Sequence, residues 1–494
     1  MVLPAHRGVA AERVPAQRGR PPAGQGRDAA VLAAMALMLS ARMAAAQVTP
    51  TPPESGSPQS GAAAAPGLSA TASPPALPAT EDWAIHAQST FVDQFHPGLH
   101  AAYSGPNSLD PGRRGDETFD ATVFAGLRPW NGAEIWVNAE IDQGFGLSNT
   151  LGIAGFPSAE AYKVGASDPY VRLPRLFLRQ TIDLGGAVQG IDPDQNVLGG
   201  TETANRLVGW IGKYSVPDIF DTNKYAHDAR NDFLNWAVID GGAFDYAADA
   251  WGYTYGAALE WYQDWWALRG GIFDGSVKPN TPHLSFPLGS QFQIVTEAEL
   301  RYTLFGQESK IKLLGFQTRA RLATFSELEA FYAANPEAST ADVEAIRHLR
   351  NKFGGEINLE QPITAELGAF LRASLNDGRT EAYDFTDIDR SLSGGLSLAG
   401  KSWGRADDTV GAAFVVNNIS KAQKDYLAEG FLGVLVGDGK LTNAGPEQIL
   451  ETYYSYTIRR GIEVTADYQL VNHPAYNVDR GPVHVFGARL HVQF

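Results

Sequence analysis

From residue 83 to the last residue, apolar and polar side chains alternate with a period of two. The runs are separated by short turns or by long polar stretches. In Thr118 to Arg128, Phe119, Ala121, Val123, Ala125 and Leu127 interleave with Thr118, Asp120, Thr122 and Arg128. After the turn Pro129-Trp130-Asn131-Gly132 the pattern resumes. Ile135, Val137, Ala139 and Ile141 point one way; Glu134, Trp136, Asn138, Glu140 and Asp142 point the other. Successive side chains of a strand lie on opposite faces, so this is a hairpin with one apolar and one acidic face. The same reading predicts hairpins from Gly252 to Phe273, turning at Gln263-Asp264, and from Glu299 to Thr324, turning at Gln307-Glu308-Ser309. It predicts others from Glu356 to Leu375 around Pro362, from Leu392 to Val416 around Trp403-Gly404, and from Leu450 to Leu470 at Arg460-Gly461. In the closing segment, Phe486, Ala488, Leu490, Val492 and Phe494 share one face, and Arg489, His491 and Gln493 the other.

A final strand that ends on an aromatic residue with no polar tail would be an aggregation-prone edge in an open sheet. It fits the closing strand of a transmembrane antiparallel β-barrel. Short turns also alternate with long stretches (143–170, 215–250, 325–352, 376–389 and 417–447), the rim asymmetry of outer-membrane barrels. Tyr253, Tyr255, Trp261, Trp266, Tyr302, Tyr454 and Tyr456 fall near strand ends on the apolar side, where interface girdles lie. The opposite faces carry charges such as Arg269, Arg372, Glu451 and Asp467, which need a wet lumen or bulk water. A soluble β-sandwich is the competing architecture and also tolerates charged outer faces. No run reaches the ~20 apolar residues of a spanning helix, so a membrane protein with this sequence must cross as a closed barrel.

Composition adds the chain's processing and excludes several functions. There is no cysteine, hence neither a disulfide scaffold nor a thiolate metal site. A net charge of −16 without a basic block argues against nucleic acid as a partner. Residues 1–46 read as a signal peptide: an arginine-rich lead, an apolar core from Ala29 to Leu39, and Ala44-Ala45-Ala46 before Gln47. Residues 47–82, rich in Pro, Ala and Ser, read as a flexible linker, and 83–494 as the barrel.

Three blocks resemble the carbohydrate-selective porins of Gram-negative outer membranes. The first comprises FVDQFHPGLHAAYSGPNSL (91–109) and residues 136–186. The second is FDTNKYAHDARNDFLNWAVIDGGAFDYAADAWGYTYGAALEW (220–261), and the third is residues 391–456 with the tail NHPAYNVDRGPVHVFGARLHVQF. The resemblance spans essentially all of 83–494. It implies a single barrel of 16 strands that passes sugars through the outer membrane, although the clear strands counted from the pattern fall short of that number. The arginine-rich lead and a 325–352 insertion with helical spacing (Val343, Ile346, Leu349) depart from the family pattern. The partners implied are a carbohydrate, outer-membrane lipid, and the barrel-assembly machinery reading the strand that ends at Phe494; monomer and homo-oligomer both stay open.

In such a lumen a sugar lays its C–H faces on aromatic rings and takes hydrogen bonds from charged side chains. Arg175, Phe177 and Arg179 share one face by parity, while Leu176, Leu178 and Ile182 face lipid. Glu134, Trp136, Asn138 and Glu140 offer a matching set; the plainer reading is that these charges only pair across strands. The loop 220–250, with Asp221, Asn223, Tyr225, His227, Arg230 and Trp236, is too long and polar for an idle turn. It reads as a constriction folded into the pore, with a surface lid equally compatible. Asp192-Pro193-Asp194-Gln195-Asn196 starts like a calcium loop but lacks the glycine at position 6 and the glutamate at position 12, so it is a plain loop. No catalytic motif stands out, and no metal or cofactor is expected. A general or anion-preferring porin and an outer-membrane barrel enzyme are the rival functions.

Overall fold

The computed structural model describes residues 78–162, 165–285, 288–339 and 342–494. The signal peptide and nearly all of the linker predicted for residues 1–82 lie outside the described residues. Sixteen strands follow: β1 Trp83–His96, β2 Arg114–Leu127, β3 Ala133–Gly144, β4 Ala166–Ile191, β5 Gly200–Tyr214, β6 Thr254–Gln263, β7 Trp266–Asp274 and β8 Phe292–Leu304. Then come β9 Gln307–Leu322, β10 His348–Pro362, β11 Leu367–Asn376, β12 Arg390–Ala399, β13 Thr409–Asn418, β14 Glu447–Arg459, β15 Ile462–Asn472 and β16 Val483–Gln493. Each pairs antiparallel with its neighbours, and β1 closes on β16 with Phe91 opposite Leu490. Among the described residues no helix is long and apolar enough to cross a membrane. The crossing elements are strands, paired edge to edge around a closed ring.

The two-residue alternation sorts side chains as the sequence predicts. On β3, Val137 and Ile141 face outward, whereas Glu134, Trp136, Asn138 and Glu140 are buried inside. On β16, Phe486 and Leu490 face outward while Arg489 and His491 are buried inside. Four expectations need correction. The β6–β7 turn is Asp264-Trp265 rather than Gln263-Asp264, because Gln263 still pairs with Trp266 at the end of the ladder. The β8–β9 turn is Phe305-Gly306, not 307–309, because both residues take positive φ, the geometry of a two-residue hairpin turn. The helix in the 325–352 stretch is Phe325–Ala334, started by the Thr324/Glu327 capping box; Val343 and Ile346 fall in a short 3₁₀ turn and Leu349 on β10. Tyr253 belongs to no lipid girdle: it sits before β6 and is only 1% exposed, inside the barrel.

The lumen is not a uniform wet bore. The connections 145–162, 215–253 and 377–389 fold inward and bury an aromatic cluster of Phe156, Trp236, Tyr246 and Phe385; Phe156 stacks on Trp236 at 5.4 Å. Irregular backbone is tolerated there because wall and loop carboxylates accept its N–H groups. Glu447 accepts from Ala154 (2.9 Å) and Gly155 (2.7 Å), Glu451 from Leu234 (2.6 Å), and Glu297 from Asp221 (2.9 Å). Asp245, on the central connection, accepts from the backbone of Tyr383 (2.6 Å) and Asp384 (3.1 Å). So many of the charges expected to need water are satisfied by the chain itself.

Candidate functional site: the lumen of the barrel

Space remains along the wall from β3 to β7. One cavity of about 930 Å³ is lined by Arg175, Phe177, Arg179, Trp210, Glu134 and Glu260, among others. A second, of about 250 Å³, lies against the aromatic cluster. Arg175, Asp218, His227, Gln195 and Asn196 border both, so these five form the boundary the two cavities share.

Parity on β4 brings Arg175, Phe177 and Arg179 to the inner face, and each is tied to a specific partner. Arg175 makes a bidentate pair with Asp218 at 2.8 and 2.6 Å. Asp218 closes the short turn Val216–Asp218, where it also accepts from the Ser215 N–H at 3.0 Å. Burial alone would raise the Asp218 pKa, but Arg175 and the Ser215 N–H hold the carboxyl below its usual value. Arg179 reaches Glu134 at 2.6 Å; Glu134 also accepts from the Trp136 indole at 3.0 Å and sits 3.7 Å from Arg128. Phe177 is buried behind Trp210, their centroids 5.0 Å apart, and Arg179 stacks over the Trp210 ring at 5.3 Å. Asn138, opposite Arg175 across the sheet, is fully buried, and neither of its side-chain polar atoms has a hydrogen-bond partner.

The loop residues divide by role. His227 borders both cavities, while Arg230 and Trp236 line the smaller one. Arg230 lies 3.3 Å from each of Asp120, Glu140 and Glu160, bolting the loop to β2 and β3. The His227 imidazole lies 3.8 Å from Asp240; burial, with Arg372 beside it, keeps its pKa below the usual value. Asp221 and Asn223 anchor the loop to the opposite wall, through Arg372 (2.8 Å) and Asn358 (2.7 Å). Tyr225 borders a separate cavity of about 520 Å³ on that side.

The model of the carbohydrate-selective porin, OprB family matches residues 107–494. The chain belongs to that family. It is therefore a carbohydrate-selective porin, a passive channel of the Gram-negative outer membrane. The porin is similar to the high-pH structure of Pseudomonas putida OprB, with a TM-score of 0.63 at 15% identity, covering 84% of this chain and 94% of that one. The low-pH structure of the same protein gives a TM-score of 0.44 at 11% identity, covering 84% and 93%. The Acinetobacter baumannii outer membrane channel DcaP gives 0.47 at 9% identity, covering 84% and 97%. Only the first of these bears on the fold. A search of curated protein sequences finds no match.

Two residues of the porin's lumen escaped the sequence reading. Arg172 differs from Leu176 by an even number of positions, so simple alternation sends it to lipid. A bulge opposite Ala139, where Leu173 and Pro174 oppose one residue of β3, reverses the parity and turns Arg172 inward. There it pairs with Glu140 and Asp142 and, with Arg175, flanks the Tyr253 ring, each guanidinium 5.1 Å from its centroid. Pro174 within the run is the signal that could have flagged the bulge. Trp210 was missed because Gly209 and Gly212 dilute the alternation of β5. Arg206, Val208, Trp210 and Tyr214 nonetheless share a period-two face.

Proposed function

We propose that this porin passes neutral mono- and small oligosaccharides along its β3–β7 wall, with Arg175 and Arg179 donating to hydroxyls and Trp210 offering a ring face. The observation that carries the reading is charge balance. Five arginines and five carboxylates line the 930 Å³ cavity. The arginines are paired: besides those described above, Arg206 holds Glu202 at 2.8 Å and Arg269 holds Glu260 at 3.0 Å. Such a surface offers strong donors with little net field, which suits a polar uncharged solute. An anion-preferring pore would instead present arginines free of carboxylates. Arg175, Asp218 and His227, which border both cavities, are the residues a solute moving from one to the other would meet. Outward-facing side chains such as Leu176, Ile211 and Leu259 form the lipid-facing belt, and the strand ending at Phe494 is the segment offered to the assembly machinery. Swelling of porin-loaded liposomes tests the reading: neutral hexoses should enter faster than uronates of the same size, and equal or reversed rates would overturn it.

A further inference from the structure

β4 runs for 26 residues, and together with β5 it projects past the ends of its neighbours on the short-turn rim; residues 182–190 are exposed throughout. Its tip then turns inward, over the mouth. The Gly199 N–H donates to Glu81 at 2.8 Å and the Glu81 N–H returns to the Gly199 carbonyl at 3.0 Å. The Leu198 N–H reaches Glu134 at 3.3 Å, and Gln195 reaches across to Gln493 on β16 at 3.3 Å. A tight Asp194–Val197 bridge, with Asn196 at φ 58°, places Gln195 and Asn196 at the boundary the two cavities share. The hairpin is therefore an arch whose tip carries uncharged amides into the lumen.

Those amides differ from their charged neighbours in what they can exchange with a sugar. A sugar hydroxyl both donates and accepts. Arg175, between the two cavities, only donates, and Asp218 beside it is held by that guanidinium. Acceptors for the sugar's O–H groups must come from elsewhere. Two amide side-chain oxygens bordering the smaller cavity are buried with no hydrogen-bond partner: Oδ1 of Asn196 on the arch and Oε1 of Gln88 on β1. Buried oxygens of this kind are costly unless something donates to them. We infer that Asn196 and Gln88 form an acceptor subsite for neutral sugar hydroxyls, complementing the arginines, so that the arch helps select the solute rather than merely obstructing the mouth.

This rests on the sugar reading above. The test is block of single-channel ion current by glucose in planar bilayers, using the full-length porin with Gln88→Met, Asn196→Gly and Gln88→Glu. Asn196→Gly suits the left-handed backbone at that position. Each of the first two should weaken glucose block about fivefold, the worth of one hydrogen bond. Gln88→Glu, which keeps an acceptor, should retain block. Urea unfolding midpoints in lipid equal to the parent's show that the barrel is intact. If the parent is blocked but the first two variants are blocked equally well, the subsite is wrong while the sugar reading stands. A higher conductance with unchanged block makes the arch an obstruction only and likewise overturns it. A parent that glucose does not block overturns both.

Discussion

Arg372 on β11 and Asp221 on the inner loop form a buried ion pair at 2.8 Å, with both side chains at most 1% exposed. Arg372 also donates to the backbone carbonyls of Val238 (2.8 Å) and Asp221 (3.0 Å), so one guanidinium holds two points of the loop. Removing one partner of such a pair leaves an uncompensated buried charge. Arg372→Met should therefore destabilise the barrel by about 3–5 kcal/mol, measured by urea unfolding in lipid. Single-channel conductance should rise, because the loop loses its anchor on the far wall.

The ring that meets the solute is expected to be Trp210 rather than Phe177. Trp210→Ala should weaken sugar block by about 1 kcal/mol, the scale of an aromatic contact. Phe177→Ala acts through the support it gives that ring and should do less. Leu176→Ala, exposed on the lipid side, is the control and should leave block unchanged. A larger effect from Leu176→Ala than from Trp210→Ala would contradict the facing assigned to β4.

Topology can be checked on the lipid face. Leu490→Arg should destabilise the barrel by about 2–4 kcal/mol near the midplane. Its neighbour His491 is a poor lumen control, being 1% exposed, 3.0 Å from Thr90 and beside Arg489. Ser397→Arg serves instead: the residue borders the 520 Å³ cavity near Asp407, Glu366 and Glu463. Unfolding midpoints should fall for Leu490→Arg and barely move for Ser397→Arg.

How much of this was legible in the sequence depends on what each feature needs. Strand facing needs only alternation, so Glu134, Trp136 and Val137 were placed correctly, and the closing strand with them. Alternation fails where the backbone breaks step. The Leu173-Pro174 bulge hid Arg172, glycines thinned the pattern around Trp210, and Tyr253 looked like a girdle residue because it adjoins a strand end. The loop's length and polarity marked it as more than a turn. Its anchors were not readable, since Asp221 and Arg372 are 151 positions apart and nothing local links them. The arch was read as a plain loop at 192–196, its acidic and amide residues giving no hint of where the tip would point.

Asp232 supplies a pH prediction. Burial, with Asp228 nearby, pushes its carboxyl up to about 6. An unfolded aspartate titrates near 3.9, so the native state binds this proton more tightly. Its contribution is complete below about pH 4 and is lost as pH rises through about 6, a difference on the order of 3 kcal/mol. Asp232→Asn should remove that component. Unfolding in urea at pH 4 and pH 7 should show the variant gaining on the parent at the higher pH; equal differences at both would contradict it.

A charge-balanced, arginine-lined lumen that selects neutral sugars has an electrical signature. The most direct measurement is on single channels under a salt gradient, with a neutral hexose and then its uronate added. The reversal potential should lie close to zero, and concentration-dependent block by the hexose should exceed block by the uronate. A strongly anion-selective reversal potential with no hexose block would contradict it.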